Sequence, residues 1–216
     1  MERFTRLTAI ACPLGLANVD TDQLIPARFM KRSRSEGYGG FLMHDLRFAD
    51  DGSALRDFVL ADPGFAEAKI LVAGRNFGTG SSREAAVYAL WDYGIRCVIA
   101  ESFGDIFAGN AVKNGLLLAE VSETHVNALL AGLATNPVLS VDLDALRIEQ
   151  AGTLFPFSID SVRRLQLLNG WDDIDLTRRH RDNIVRYRQS RVATQPWSMP
   201  RVIGISERVK KGQSNI

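Results

Sequence analysis

The sequence predicts an α/β fold with a central, partly parallel sheet flanked by helices. Three short apolar runs between residues 69 and 121 alternate with two stretches that carry apolar residues at helical spacing. Short apolar runs predict buried strands, and apolar residues at i, i+3, i+4 and i+7 predict helices. Strands that alternate with helices pair in parallel through right-handed crossovers, so these residues predict the parallel part of the sheet.

The predicted strands of this region are Lys69–Ala73 (KILVA), Ile95–Ala100 (IRCVIA) and Leu116–Val121 (LLLAEV). The helices predicted between them are Ser82–Tyr93 and Asp105–Lys113. Gly94 follows the first helix and Asn114–Gly115 follows the second. A glycine just past the last helical residue closes a helix, so both ends are marked in the sequence.

The remaining elements are less regular. In chain order we predict a helix over Ser122–Ala134, a half-buried strand over Val138–Leu143, a hairpin formed by Arg147–Gln150 and Leu154–Ile159, a helix that Asp160 caps and Asn169–Gly170 ends, and a charged, exposed helix over Asp172–Ser190. The hairpin prediction depends on the Ala-Gly pair between its strands. We expect residues 1–190 to form one domain and residues 191–216 to be a C-terminal extension that is disordered.

The N-terminal third has few periodic stretches, and we expect a β-rich region with a mobile loop from Met30 to about Gly40. Pro26 interrupts an apolar segment there, and four basic residues precede three glycines; the basic residues are Arg28, Lys31, Arg32 and Arg34. A solvated basic loop is one interpretation. An anion-recognising lid is the other, because closely spaced guanidinium groups suit carboxylates.

Composition excludes several function classes. Lys and Arg number 26 against 25 Asp and Glu, so the net charge of +1 favours neither nucleic acid nor an anionic membrane as a partner. The sequence has no apolar run long enough to span a bilayer and no recognisable secretion signal, and we expect a cytoplasmic protein. Two cysteines, Cys12 and Cys97, cannot by themselves hold an iron–sulfur cluster or a four-ligand zinc site.

The segment GRNFGTGSSREAA, residues 74–86, resembles several glycine motifs without matching them. In a P-loop, Thr79 would stand at the second glycine and Gly80 at the lysine. In a dinucleotide fingerprint, Arg83 would stand at the third glycine, where close helix–strand approach permits no side chain. A nucleophile elbow of the Gly-x-Ser-x-Gly type is also absent from the segment. Nucleotide binding and a hydrolytic triad are therefore disfavoured.

A capping box is the simplest interpretation of Ser81 and Glu84, because a serine and a glutamate three residues apart can cap a helix reciprocally. It leaves Gly78, Gly80 and Arg83 unexplained. Glycines at a helix N-terminus let backbone N–H groups approach an anion, and a guanidinium suits a carboxylate. A serine alkoxide is stabilised in such a field and can act as a proton-abstracting base. The segment thus predicts a carboxylate site with a base.

Three segments together resemble the small subunits of 3-isopropylmalate dehydratase (isopropylmalate isomerase), which are separate-chain counterparts of the aconitase swivel domain. They are NVDTDQLIPARF at residues 18–29, NFGTGSSRE at 76–84 with its continuation through KNGLL at 113–117, and LLNGWDDI at 167–174. They occur in the family order and span most of residues 5–190. The resemblance implies a swivelling β/β/α domain with a central sheet.

The resemblance also implies an activity and a partner. A hydro-lyase of leucine biosynthesis would isomerise 2-isopropylmalate to 3-isopropylmalate by dehydration and rehydration, using a [4Fe–4S] cluster held by a large partner subunit rather than by this chain. It implies that Ser81 is the catalytic base and that a small dicarboxylate is bound by other residues. Those implied binding residues are Ser82, Arg83 and Gly80 of the serine motif, and Arg28, Lys31 and Arg32 of the recognition loop.

Three positions depart from the common family pattern, because Arg75, Thr79 and Ala85 replace a Glu, a Cys and a His. A related hydro-lyase acting on another malate-like diacid, such as a methylmalate, therefore stays open. So do a non-enzymatic phosphate- or nucleotide-binding module and a degenerate regulatory subunit that assembles without turnover.

Overall fold

The computed structural model describes residues 1–199, and the prediction about the chain beyond residue 199 lies outside the described residues. Two compact units are present: Met1–Asp173, and a second that begins at Ile174. The first unit contains the sheet, the glycine loop at residues 74–83 and the basic loop at residues 28–34. The expected single domain over residues 1–190 stays a prediction.

The sheet has seven strands in the order β4-β3-β2-β1-β5-β6-β7. The strands are β1 Arg6–Pro13, β2 Ile70–Val72, β3 Cys97–Ala100, β4 Leu117–Glu120, β5 Val138–Asp142, β6 Arg147–Gln150 and β7 Thr153–Pro156. Strands β1 to β4 pair in parallel, whereas β1–β5, β5–β6 and β6–β7 are antiparallel. The predicted partly parallel sheet and the hairpin are both confirmed.

Helices cover the sheet in the first unit. They are α1 Thr21–Leu24, α2 His44–Arg47, α3 Glu84–Tyr93, α4 Asp105–Lys113, α5 Glu123–Leu133 and α6 Ser161–Asn169. Alternate residues of the buried strands face two different cores: Leu71 and Val98 pack with the first, and Ile70 and Ile99 with the second. Strand side chains alternate between faces, so short apolar runs here indicate strands buried on both sides.

Several helix ends lie where the sequence predicts them. Gly94 and Gly170 close α3 and α6 in the left-handed conformation. The Asp160 side chain accepts hydrogen bonds from two backbone N–H groups of α6, and Ser122 accepts one from the His125 N–H. Local capping chemistry therefore sets these boundaries.

The charged stretch predicted as one helix over residues 172–190 forms two helices instead. They are α7, Asp173–Arg178, and α8, Arg181–Thr194, with a turn at Arg179 and His180 between them. Neither helix contains a buried residue. Because a packed apolar face is what usually holds a long helix continuous, an exposed charged sequence does not reveal where it breaks.

The expectation of a β-rich N-terminal third is wrong for the described structure. Among residues 1–68, β1 is the one sheet strand; it is followed by α1, α2 and five short 3-10 turns at Ala27–Lys31, Arg34–Glu36, Tyr38–Phe41, Val59–Ala61 and Pro63–Phe65. Pro26 and the glycines near residue 39 favour turns over extended pairing. The expected loop at residues 30–40 therefore has a defined path through three of these turns, and its mobility stays a prediction.

Candidate functional site

The glycine loop, residues 74–83, leaves the carboxyl end of β2. Gly78 and Gly80 have φ angles of +75° and +101°, which L side chains rarely adopt. A Cβ atom on Gly78 would lie 2.3 Å from the Phe107 ring, and one on Gly104 would lie 2.7 Å from the Gly78 carbonyl oxygen. Close packing against α4 and the β3–α4 connection therefore requires these glycines. In α/β sheets the carboxyl ends of parallel strands are where ligands bind.

The turn at Val19–Asp22 binds this loop along its length. The Val19 carbonyl accepts the Gly78 N–H at 2.7 Å, and the Thr21 N–H donates to the Thr79 carbonyl at 2.9 Å. The Thr21 hydroxyl donates to the Ser81 carbonyl at 3.1 Å. The Asp-Thr-Asp motif at residues 20–22 and the glycine–serine motif at residues 78–83, which are far apart in the sequence, thus form one structural unit.

A second network fixes the start of the loop. Asn76 has a φ of +58°, a conformation that asparagine tolerates better than most residues. Its side-chain amide donates to Asn18 at 2.8 Å, and its backbone N–H donates to the Ser102 hydroxyl at 2.9 Å. The Ser102 hydroxyl in turn donates to the Asn76 side-chain oxygen at 3.2 Å. Ser102 is not in the serine motif, and its role shows only once β2 and β3 lie side by side.

The predicted capping box between Ser81 and Glu84 is wrong. Helix α3 begins at Glu84, and its N-cap is Arg83, in an extended conformation with no side-chain cap. The Glu84 carboxylate instead accepts a hydrogen bond from the Asn114 side chain at 2.9 Å. Because the N-cap is the extended Arg83, Ser81 lies two residues before the position from which a side chain caps the helix. This frees its hydroxyl for another role.

The residues after Gly78 present unused polar groups. Gly80, Ser81 and Ser82 are exposed. Within residues 1–199, the backbone N–H groups of these three residues and both serine hydroxyls donate no hydrogen bond. Consecutive free N–H groups in a glycine-containing turn form a concavity suited to an anion. The structure thus brings Gly80, Ser81, Ser82 and Arg83 together in one segment that can hold a carboxylate.

Arg83 is held against the same turn. Its Nη1 donates to the Asp22 carboxylate, and the two side chains form an ion pair. The Arg83 side chain is 18% exposed, whereas Asp22 is 54% exposed. The guanidinium is therefore fixed by a carboxylate of its own chain while its remaining N–H groups stay available. Asp22 belongs to the Asp-Thr-Asp motif, but sequence reasoning assigned it no role.

The basic loop is largely neutralised by its own surroundings. Arg28 pairs with Asp45, and the hydrogen bond between them lowers the pKa of the Asp45 carboxyl and raises the pKa of Arg28. Arg32 pairs with Glu36 at 3.3 Å. Lys31 forms no ion pair within residues 1–199. Of the three cations predicted to bind substrate, Lys31 is thus the one that needs to break no internal pair.

Arg34 anchors the far end of the basic loop to α3. Its guanidinium donates to Asp92 at 3.1 Å and lies 3.9 Å from the centroid of the Tyr88 ring. The Tyr38 N–H also donates to Asp92, at 3.3 Å. No hydrogen bond or ion pair among residues 1–199 joins Arg28, Lys31 or Arg32 directly to residues 78–83. The two loops are linked instead through α1 and α3.

Residues 1–199 contain no group of three His, Cys, Asp or Glu side chains that could hold a metal ion. Burial raises the pKa of Cys12 to about 12, with a smaller contribution from Asp62, and burial also raises the pKa of Cys97. Thiols that stay protonated are poor metal ligands. No helix in the described part of the chain is long and apolar enough to cross a membrane.

Residues 1–124 match the family described as Aconitase C-terminal domain. The 3-isopropylmalate dehydratase small subunit of Rhodospirillum centenum is 48% identical over 202 residues, which cover 92% of this chain and 100% of that protein. The protein of the same name from Paramagnetospirillum magneticum is 46% identical over 200 residues, covering 91% of this chain and 100% of the relative.

A crystal structure of 3-isopropylmalate dehydratase from Methanocaldococcus jannaschii superposes with a TM-score of 0.58 at 25% identity, covering 85% of this chain and 99% of that one. Sequence similarity over nearly the full length and the shared fold agree with each other. The chain therefore belongs to the family of 3-isopropylmalate dehydratase small subunits, which carry the aconitase C-terminal domain.

Proposed function

We propose that this chain is the small subunit of a hydro-lyase that isomerises 2-isopropylmalate to 3-isopropylmalate in leucine biosynthesis. Relatives with that subunit name align over nearly its whole length. The observation that carries the mechanism is an exposed serine, Ser81, whose hydroxyl is uncommitted and lies two residues from a fixed guanidinium.

Ser81 is the proposed proton acceptor. Dehydration of 2-isopropylmalate removes a proton from the methylene carbon beside a carboxylate and a hydroxide from the neighbouring carbon. The Ser81 oxygen, as the alkoxide, takes that proton, and it returns a proton in the rehydration step. An alkoxide needs a local positive potential, which Arg83 and the free N–H groups of the loop supply.

Arg83, Ser82 and Gly80 are the proposed carboxylate ligands. Proton removal beside a carboxylate shifts negative charge onto it, so a guanidinium held there stabilises the transition state more than the ground state. Asp22 restrains the Arg83 side chain before substrate arrives, which lowers the entropic cost of ordering it. Lys31 is the proposed ligand of the second carboxylate, whereas Arg28 and Arg32 would each have to leave an acidic partner first.

The described residues do not fit an iron–sulfur cluster, since both cysteines are buried and protonated. We assign the [4Fe–4S] cluster to a large partner subunit, where it would supply Lewis-acid activation of the substrate hydroxyl. The exposed loop at residues 80–82 then faces that subunit, and the complete site forms only in the hetero-oligomer. We expect the complex to be cytoplasmic.

The test is reconstitution. The chain alone is expected to leave 2-isopropylmalate unchanged, and addition of the large subunit is expected to produce 3-isopropylmalate. Ser81→Ala should lower kcat of the complex by about 10²- to 10⁴-fold, the range that general-base catalysis contributes. Ser161→Ala, on an exposed serine of α6, is the matched control. A complex that keeps full activity with Ser81→Ala contradicts the proposed base and favours a regulatory role for the chain.

A related diacid is the second candidate substrate. Arg75 stands where the family pattern has a glutamate, is exposed, and forms no ion pair within residues 1–199. An extra cation beside the loop changes the charge around the substrate, and a malate-like diacid with a smaller alkyl group than isopropyl is the alternative. Comparison of kcat/KM for 2-isopropylmalate and 2-methylmalate in the reconstituted complex decides between them, and a higher value for the methyl compound would replace the first proposal.

A further inference from the structure

Thr21 is a buried threonine beside the proposed base. The residue is 1% exposed, and its hydroxyl donates to the Ser81 carbonyl oxygen at 3.1 Å across a sequence separation of 60 residues. Its backbone N–H holds the Thr79 carbonyl at 2.9 Å. Thr21 therefore forms hydrogen bonds to the loop on both sides of Gly80.

Ser81 has little else to hold it in place. It lies outside any helix or strand. It follows Gly80, whose φ of +101° is a conformation that residues with a side chain rarely adopt. The Ser81 carbonyl also accepts the Arg83 N–H at 2.8 Å, but that bond links residues two apart and fixes only the local turn. Within residues 1–199, the Thr21 hydroxyl makes the one hydrogen bond that ties Ser81 to a distant segment.

We propose that Thr21 is a positioning residue for Ser81, whose backbone it anchors so that the Ser81 oxygen meets the substrate proton. The inference rests on the proposed role of Ser81 as the base. A displacement of about 1 Å in a reacting group costs on the order of 10²-fold in rate. The Arg83 side chain is held separately by Asp22, so substrate binding should survive the loss of the Thr21 hydroxyl. The effect should therefore appear in kcat and not in KM.

The experiment compares Thr21→Val with Thr135→Val in the reconstituted complex. Thr135 makes the same kind of bond, from its hydroxyl to the Gly132 carbonyl at 3.1 Å, at the end of α5. Thr21→Val is expected to lower kcat by about 10- to 100-fold with KM changed less than about threefold, while Thr135→Val leaves both unchanged. Thr21→Ser, which restores a hydroxyl donor, is expected to recover most of the kcat.

A kinetic isotope effect separates positioning from a general loss of structure. With substrate deuterated at the methylene carbon, Thr21→Val should raise the isotope effect on kcat, because proton removal becomes more rate-limiting. A structural defect that only lowers the amount of intact complex leaves the isotope effect unchanged, and that result overturns the proposal. Equal kcat for Thr21→Val and Thr135→Val overturns it too, as does failure of Thr21→Ser to restore activity.

Thr21→Ala decides the matter if the valine variant does not assemble, since it removes the hydroxyl donor without placing a methyl group against the Ser81 carbonyl. A kcat below that of the wild type with a raised isotope effect supports the proposal, and a wild-type kcat overturns it. Ser81→Ala in the same assay tests the role of Ser81 as the base separately from the positioning role of Thr21. If Ser81→Ala is fully active, the base itself is wrong; if it is inactive while Thr21→Val is normal, only the positioning role is wrong.

Discussion

At the scale of single residues, the site depends on which polar groups are already satisfied. Arg83 is paired with Asp22, and Arg28 and Arg32 are paired with neighbouring carboxylates. Ser81 and Lys31 have no such partner within residues 1–199. Polar side chains without a partner, next to side chains that an ion pair already holds in place, are expected in a site that is pre-organised for a ligand.

Arg83→Lys should weaken substrate recognition more than it affects folding. Lysine keeps the charge but cannot present the planar pair of donors that a carboxylate accepts from arginine. We expect kcat/KM of the complex to fall by about 10- to 100-fold, through a lower kcat as well as a higher KM. Steady-state kinetics measure this, with Arg163→Lys on α6 as the control. Unchanged kinetics would remove Arg83 from the substrate site.

Lys31→Gln and Arg32→Gln should differ although they are neighbours. Lys31 is free to bind a carboxylate, whereas Arg32 is 3.3 Å from Glu36. The expected result is a roughly tenfold rise in KM for Lys31→Gln, which corresponds to about 1.4 kcal/mol, and a much smaller change for Arg32→Gln. The reverse order would show that Arg32 exchanges Glu36 for substrate.

At the scale of elements, the glycine loop is held between α1, α4 and the end of β2. Gly78→Ala should be strongly destabilising because the new methyl group would overlap the Phe107 ring. Gly152, in the β6–β7 hairpin, also has a positive φ, of +82°, but open space around it. We expect a loss of about 1 kcal/mol for Gly152→Ala and about 3 kcal/mol or more for Gly78→Ala. Urea unfolding of the isolated chain measures both, and equal losses would contradict the packing argument.

Local signals in the sequence predict most elements but not the ones that tertiary contacts decide. The bounds of α4 are those that its periodicity and Asn114–Gly115 predict. Helix α3 begins later than predicted because the extended Arg83 pairs with Asp22, 61 residues away. A sequence pattern that spans a few residues carries no information about that long-range contact. For this reason the sequence wrongly predicts a capping box between Ser81 and Glu84.

The candidate site was predictable in its composition and not in its assembly. Family motifs identify Ser81, Arg83 and the basic loop, whereas Thr21, Asp22 and Ser102 acquire their contacts only when strands place distant loops together. The β-rich expectation for the N-terminal third failed for the same reason. Short turns there are stabilised by contacts with α3, such as that of Arg34 with Asp92, in addition to their own proline and glycines.

At the scale of the whole molecule, the two cysteines lie in the two hydrophobic cores, Cys12 in one and Cys97 in the other. Cys12 and Cys97 are fully buried, and burial raises the pKa of both thiols. The folded chain should therefore react slowly with a thiol reagent at pH 8, and the urea-unfolded chain should react rapidly at both cysteines. Rapid reaction of the native chain would contradict this burial.

Because the folded pKa of Cys12 is about 12 against an ordinary 9.0, the stability of the folded chain should fall as pH rises above about 9.

The central claim is that this chain supplies the base to an active site completed by a partner. Loss of deuterium to solvent from the methylene carbon of labelled 2-isopropylmalate measures proton removal most directly. The reconstituted wild-type complex should exchange the label, the Ser81→Ala complex should not, and Arg83→Lys should still exchange it at saturating substrate. Exchange at the wild-type rate by the Ser81→Ala complex would contradict the account.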